Sequence, residues 1–218
     1  MNTRCILIGE DSLLIQCGNQ LIANNYNVCL VISPIKSIQQ WAETQAIPVI
    51  KSITDFEPSN FIEVDYIFSI VNSHVLSPPL IKLARKAAIN YHDSLLPDYA
   101  GLNATSWALL NGEKQHGVTW HLISEKIDEG HILVQHSFPI EENDTALTLN
   151  LRCYEQAITS FNELIVKLKS GCYSAKPQIL TNRHYFSTTH LLPDLGFINW
   201  KTMSAQLILR MHRALVLG

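Results

Sequence analysis

Several familiar signatures are missing from this sequence. The five cysteines, Cys5, Cys17, Cys29, Cys153 and Cys172, are odd in number and never form a CxxC pair. Neither a zinc cage nor a disulfide framework is therefore indicated, and no metal is expected. No apolar run approaches the ~20 residues of a membrane-spanning helix. The opening CILIG is too short for the apolar region of a secretory signal, so a cytoplasmic setting with no membrane partner is expected. Charge is scarce, at 16% of residues with a net of -3, which leaves no broad electrostatic footprint for nucleic acid. The first apolar run leads into GEDSLL (9–14), which is neither GxGxxG nor a Walker loop. Glu10 and Asp11 stand where a phosphate cradle needs neutral glycines.

What is present points to a packed core, since 47% of the 218 residues are hydrophobic. That length allows one sizeable domain, or one domain with a small appendage. RCILIG (4–9), VCLVI (28–32), YIFSIV (66–71) and AINY (88–91) are continuous apolar runs, and helical patterns lie between them: roughly 12–25, SIQQWAETQA after Ser33-Pro34, and a segment from Ser77-Pro78-Pro79 to about Lys86. Cys5 and Cys29 lie inside two of the runs and read as reduced core thiols. Continuous rather than alternating apolar strands, separated by helices, predict an α/β fold with a Rossmann-like, mostly parallel sheet covered by helices.

After residue 115, GVTWHLI (117–123) and HILVQHSFPI (131–140) read as two strands that add antiparallel pairs. Asp144-Thr145 then caps a long helix. Its apolar face is marked by Leu147, Leu151, Tyr154, Ile158, Phe161, Ile165 and Leu168, and Gly171 ends it. The less regular remainder closes on SAQLILRMHRALVLG, a helix that stops abruptly. We expect a catalytic domain over 1–175. Residues 176–218 form a short irregular C-terminal extension, the start of a further subdomain, and the natural chain is expected to continue past Gly218.

The chemistry concentrates in INYHDSLLP (89–97). Asn90 and His92, at i and i+2 on an extended strand end, point to the same side. The SEKIDEG loop after the next strand brings Asp128 within reach if the two strands pair. An amide donor, an imidazole that titrates near neutrality and a carboxylate form a set suited to acyl transfer. The same residues also fit ordinary roles: His92 in a loop, Asn90 as a turn former, Asp128 in a hairpin turn. Ser94 has no GxSxG around it, which argues against a hydrolase triad. His116 with His121, and His131 with His136, are five apart, so each pair falls on opposite faces of a strand and does not suggest zinc.

The stretch NYHDSLLP followed by YAGLNATSWALLNGEKQHGVTWHLISEKIDEG resembles the folate-dependent formyltransferase family over about Asp65 to Gln135, and more loosely to Gly218. Its Asn-x-His-x-Ser-x-Leu-Pro core and downstream Ile-Asp-x-Gly carry the likeness. The resemblance implies transfer of a formyl group from 10-formyltetrahydrofolate, the co-substrate, to an amine. It places the catalytic roles on Asn90, His92 and Asp128, with His121 as a further histidine of the site. It also puts a pterin pocket on Ser69, Asn72, Ser73, Val75, Leu76, Ser124, Lys126 and Ile127, and an acceptor side near Asn103, Thr105 and Trp107. Lys82, Arg85 and Lys86 then become candidates to attract the anionic folate tail, although a solvated helix face explains them equally well.

Among the family's acceptors, glycinamide ribonucleotide is disfavoured by GEDS in place of a glycine-rich loop. A tRNA is disfavoured by DYAG (98–101) and the absence of excess positive charge. The segment NYHDSLLPDYAGLNATSWALLNGEKQHGVTWH most resembles formylation domains at the start of nonribosomal peptide synthetases. That implies an aminoacyl thioester on a carrier domain's phosphopantetheine arm as acceptor and partner. A nucleotide-linked amino sugar or an aminoacyl-tRNA is the alternative.

Overall fold

The computed structural model describes residues 3–61, 63–171 and 173–215. The chain order is β1 (Arg4–Gly9), α1 (Leu13–Ala23), β2 (Asn27–Ile32), α2 (Lys36–Thr44), β3 (Val49–Ile50), β4 (Val64–Ile70), α3 (Pro78–Ile81) and β5 (Ala84–His92). Then come β6 (Ala100–Gly101), α4 (Ala104–Asn111), β7 (Gln115–Leu122), β8 (Ile132–Pro139), α5 (Ala146–Ser170), β9 (Tyr185–Phe186) and α6 (Ala205–Leu215). Seven strands form one sheet in the order β3-β2-β1-β4-β5-β7-β8. The first five are mutually parallel, and β7 and β8 join antiparallel at the β5 side. This is the expected α/β fold. Residues 216–218, the end of the anticipated last helix, and Cys172 lie outside the described residues.

The two faces of the sheet are covered unequally. One carries a large core in which Leu7, Phe68, Ile89, Tyr91 and Trp120 meet residues of α1, α2, α4, α5 and α6. The other packs Ile6, Ile8, Ile67 and Ala88 against little more than Leu80 of α3, Leu76, Leu83 and Phe56. The helix expected to run to Lys86 is only four residues long, and β5 begins already at Ala84. The charged pair Arg85 and Lys86 reads as a helix face, but in the strand both reach Asp65, at 3.2 and 3.5 Å. Asp65 is held below the usual carboxylate range: its partial burial is outweighed by the Arg4 N–H, Lys86 and Arg85. Lys86 lies six residues before His92 on β5, roughly 20 Å away at the strand rise.

Helix α5 starts and stops where its caps dictate. The Thr145 hydroxyl accepts from the Thr148 N–H, and Gly171 closes the helix at φ 67°. Its buried stripe is Ala146, Leu149, Cys153, Ala157, Ser160, Phe161, Leu164, Ile165 and Leu168, whereas Leu147 and Leu151 are exposed. Of the expected face, Phe161, Ile165 and Leu168 are buried and Tyr154 and Ile158 pack against the core, so the face is offset only at its start, where Ala146, Leu149 and Cys153 turn inward in place of Leu147 and Leu151. Small residues let the helix lie close to the sheet, where Ser160 Oγ accepts the Trp120 indole N–H at 3.0 Å. Cys5, Cys17 and Cys153 are buried free thiols, while half-buried Cys29 receives the Arg4 Nε–H.

The segment after α5 returns along the β8 edge. Lys176 pairs with Ile132 of β8 through both main-chain bonds at 2.8 Å, and β9 runs parallel to β6. Helix α6 then packs on α4, where Ser106 Oγ donates to the Ala214 carbonyl, and Arg213 donates to the Asp144 carbonyl. Among the described residues no helix is long and apolar enough to cross a membrane.

Candidate active site

Three adjacent strands place polar side chains in one row. Ser69 of β4 is opposite Asn90 of β5, and Asn90 is opposite His121 of β7. The row lies on the thinly covered face, and His92 follows two residues further along it. Asn90 directs its two amide hydrogens to the Tyr91 carbonyl at 3.0 Å and to His121 Nε2 at 3.2 Å. His121 is buried, and its Nδ1–H donates to the Leu122 carbonyl at 2.9 Å, which turns the Nε2 lone pair towards Asn90.

His92 is also buried, and its Nε2–H donates to the Tyr99 carbonyl at 2.8 Å. The proton that this imidazole exchanges therefore sits at Nδ1. That nitrogen faces Asp128 Oδ2 at 3.6 Å, a distance of ion pairing rather than hydrogen bonding. Asp128 Oδ1 lies 3.5 Å from His121 Nε2, and Oδ2 accepts the Gly101 N–H at 2.9 Å. Burial pushes the Asp128 carboxyl up, but His92, His121 and the Gly101 N–H outweigh it and hold it well below the usual carboxylate range. Asp128 is an anion between two imidazoles at neutral pH.

The backbone around the site is strained. Val71, Tyr99, Asn103 and Asp128 all have φ between 49° and 56°, a region costly for residues with a side chain. The Ser94–Pro97 turn that carries Tyr99 into place is pinned from β7 and β8. Thr119 Oγ1 donates to the Ser94 carbonyl, and Gln135 Nε2 donates to the Leu96 carbonyl and to Thr119 Oγ1. Ser94 is buried and spends its hydroxyl on the Asp98 carbonyl at 2.6 Å, so it holds the turn. Two glycines permit close approaches: a Cβ on Gly101 would strike the Phe186 carbonyl, and one on Gly130 would strike that of Leu122.

The eight residues expected to line a pterin pocket divide by environment. Ser69 is buried and accepts from Asn72 Nδ2 at 3.3 Å, and Asn72 also donates to the His74 carbonyl. Ser73 donates to the Glu10 carboxylate at 2.9 Å, and His74 Nδ1 is 3.0 Å from it. Val75 and Ile127 are exposed apolar side chains, 78% and 46% accessible, while Leu76 belongs to the core of that face. Ser124 closes the Lys126 carbonyl at 2.9 Å. On the acceptor side Thr105 is buried, and Trp107 stacks on Phe186 at 4.5 Å. Among the described residues no group of three His, Cys, Asp or Glu side chains is arranged to hold a metal.

Sequence reasoning reached Asn90, His92, His121 and Asp128, but it missed the main-chain groups that orient them. The Tyr99 carbonyl and Gly101 N–H carry no side-chain signal. The partners of the 127–130 loop, Gln178 and Arg183, sit in the stretch read as irregular.

A mixed α/β sheet thus gathers an amide, two imidazoles and a buried carboxylate beside its strand ends, a set suited to group transfer. A family profile described as formyl transferase matches residues 57–165, half of the chain, and the chain belongs to that family. GDP-perosamine N-formyltransferases of Brucella melitensis and Brucella abortus are 38% identical to it over 113 residues, 52% of this chain and 43% of each relative. The matched part thus spans less than half the length of these curated relatives. The solved structure of WlaRD, a sugar 3N-formyl transferase in the presence of dTDP and 5-N-formyl-THF, superposes with a TM-score of 0.82 at 26% identity, over 98% of this chain and 79% of that one. The N-formyltransferase from Helicobacter canadensis, in complex with folinic acid and dTDP-3-aminofucose, shares the fold with a TM-score of 0.82 at 24% identity, over 98% and 80%.

These relatives are named for sugars, GDP- or dTDP-linked where the nucleotide is given, which overturns the expected carrier-tethered aminoacyl acceptor and leaves the peptide-synthetase setting without support. The physical reason is location. The stretch that suggested the carrier arm lies inside the segment, 57–165, that matches the family as a whole, so it does not tell one acceptor class from another.

Proposed function

We propose that this chain is the catalytic unit of a folate-dependent N-formyltransferase that formylates the amino group of a nucleotide-linked amino sugar. The observation that carries the reading is the buried Asn90–His121–Asp128–His92 cluster, together with family membership. Relatives solved with 5-N-formyl-THF or folinic acid support 10-formyltetrahydrofolate as co-substrate, and their sugar acceptors support the acceptor class. Residues 1–175 are proposed as the catalytic unit, with 176–218 leading into a C-terminal part.

Exposed Val75 and Ile127 offer apolar surface for a flat ring, and Ser69, Asn90 and His121 form a polar row on the thinly covered face of the sheet. The folate would supply a formyl group on an amine nitrogen. Asn90 exchanges its bond to His121 for one to the formyl oxygen, so the donor is already aimed and costs little reorganisation. His92 stabilises the same developing oxyanion with the proton at Nδ1. Asp128 balances that charge and orders the path by which the attacking amine loses a proton and the departing nitrogen gains one.

The test is formyl loss from 10-formyltetrahydrofolate, followed by absorbance and by the mass of the acceptor. dTDP- and GDP-linked amino sugars are offered in parallel, with His92→Ala as control. A formylated nucleotide sugar, absent with the variant, supports the proposal. Formylation of aminoacyl-tRNA instead, or hydrolysis alone, removes it.

A further inference from the structure

We propose that the segment 176–186 is a strap that sets the catalytic geometry, with Gln178 and Arg183 as positioning residues acting through Asp128. The proposal deepens the formyltransferase reading and rests on it for its kinetic part. The loop from Ser124 to Gly130 makes little structure of its own: among the described residues its one internal main-chain bond runs from Glu129 N to the Lys126 carbonyl, at 3.5 Å. Within it Asp128 holds a left-handed conformation, φ 55°, which survives only where the surroundings over-determine it.

The strap supplies what the loop lacks. Gln178 Nε2 donates to the Asp128 carbonyl at 2.8 Å and to that of Gly130 at 2.7 Å. Arg183 donates to the Ile127 carbonyl at 2.6 Å and to Glu129 Oε1 at 3.0 Å, and its guanidinium rests 4.8 Å over the Tyr185 ring. Three consecutive residues and Gly130 are thus gripped from one segment. The same segment then forms β9, which holds β6 from the other side: Ala100 N donates to the His184 carbonyl and Leu102 N to that of Phe186. β6 is the element whose Gly101 N–H grips the Asp128 carboxylate, and it follows directly on Tyr99, whose carbonyl grips His92. The strap therefore fixes Asp128 at its main chain and at its carboxylate, and fixes His92 through the residue beside Ala100. Both side chains are placed for this rather than for solvent: Gln178 Oε1 and Arg183 Nε are buried with no hydrogen-bond partner.

The inference is tested with Gln178→Met, Arg183→Met and Arg183→Lys, alone and combined with Asp128→Asn, in the full chain. Each Met variant should lower kcat at least tenfold while the KM for the acceptor moves less than threefold, and Arg183→Lys should recover part of the loss. In the Asp128→Asn background the same substitutions should lower kcat several-fold less than in the parent, because the charge they position is already gone and only the hold on His92 is left to lose. Equal losses in both backgrounds, or losses below threefold in the parent, overturn the proposal. Amide hydrogen exchange separates its failure from that of the formyltransferase reading, since it needs no turnover. Faster exchange confined to 124–130 and 99–102 in the Met variants supports the strap even if no acceptor is formylated. Unchanged exchange there overturns it.

Discussion

Replacing Asp128 by Asn removes one charge and almost no volume, which makes it the sharpest probe of the site. Asn keeps an oxygen for the Gly101 N–H, so the loop retains its anchor. What disappears is the anion 3.6 Å from His92 Nδ1. With an effective dielectric near 20, unit charges at that separation attract by roughly 4–5 kcal/mol. If half of that attraction develops only as the oxyanion forms, about 2 kcal/mol leaves the barrier, and if all of it does, about 4. At ~1.4 kcal/mol per decade, kcat should fall about 30- to 1,000-fold. The assay is single-turnover formyl transfer at saturating co-substrate, with melting temperature and folate affinity measured alongside. A folded variant that binds folate and loses less than tenfold in kcat would refute the electrostatic role. Stability gives a second check with a fixed sign. The folded carboxyl is depressed, so its ionised form stabilises the protein above the unfolded value of about 3.9, and this is lost as pH falls through the folded value. The gap in melting temperature between parent and variant should be full at pH 7 and narrow below about pH 4.

Asn90→Ala should cost about 10²–10³ in kcat, the usual loss for one oxyanion donor; under tenfold, the amide is a structural partner of His121 and nothing more. His116 is buried against Phe138 with Nε2 unpartnered, and burial holds its imidazole below the ordinary value. Unfolding lets it take a proton, so it costs stability as pH falls below about 6.5, and His116→Gln should flatten the decline in melting temperature between pH 7 and 5. Ser160→Ala strands the buried Trp120 indole N–H and should destabilise by about 1–3 kcal/mol in urea titrations, leaving kcat at its parent value.

The parallel part of the sheet was legible because buried strands are continuous apolar runs, as RCILIG and VCLVI are. α5 was legible at both ends, because Thr145 and Gly171 are caps whose chemistry is local. Its buried face was legible from Tyr154 to Leu168 but not in the first two turns, where Ala146 and Cys153 pack by being small and give weak signals beside Leu147 and Leu151. The start of β5 was misread because Arg85 and Lys86 owe their place to Asp65, a partner distant in sequence. The two-residue strands β3, β6 and β9 exist only through pairing partners elsewhere in the chain. In the candidate site, Asn90, His92 and Asp128 stood out by residue type, whereas the carbonyls and N–H groups that orient them have no letter of their own. The acceptor was misjudged for a related reason: a likeness that lies within the segment shared by the whole family reports on the family and not on the molecule that receives the group.

The pairing of Lys176 with Ile132 has one more consequence. The sheet has two open borders. On one, β3 is too short, at two residues, to template another strand. On the other, β8 is eight residues long, and there Lys176 occupies both main-chain groups of Ile132, while Lys167 Nζ caps the Leu133 carbonyl at 3.3 Å and Pro139 ends the row without a donor. An unguarded edge of that length invites strands from neighbouring molecules. A chain cut before residue 176 should therefore self-associate through β8, and its solubility, more than its activity, would be the first property to fail.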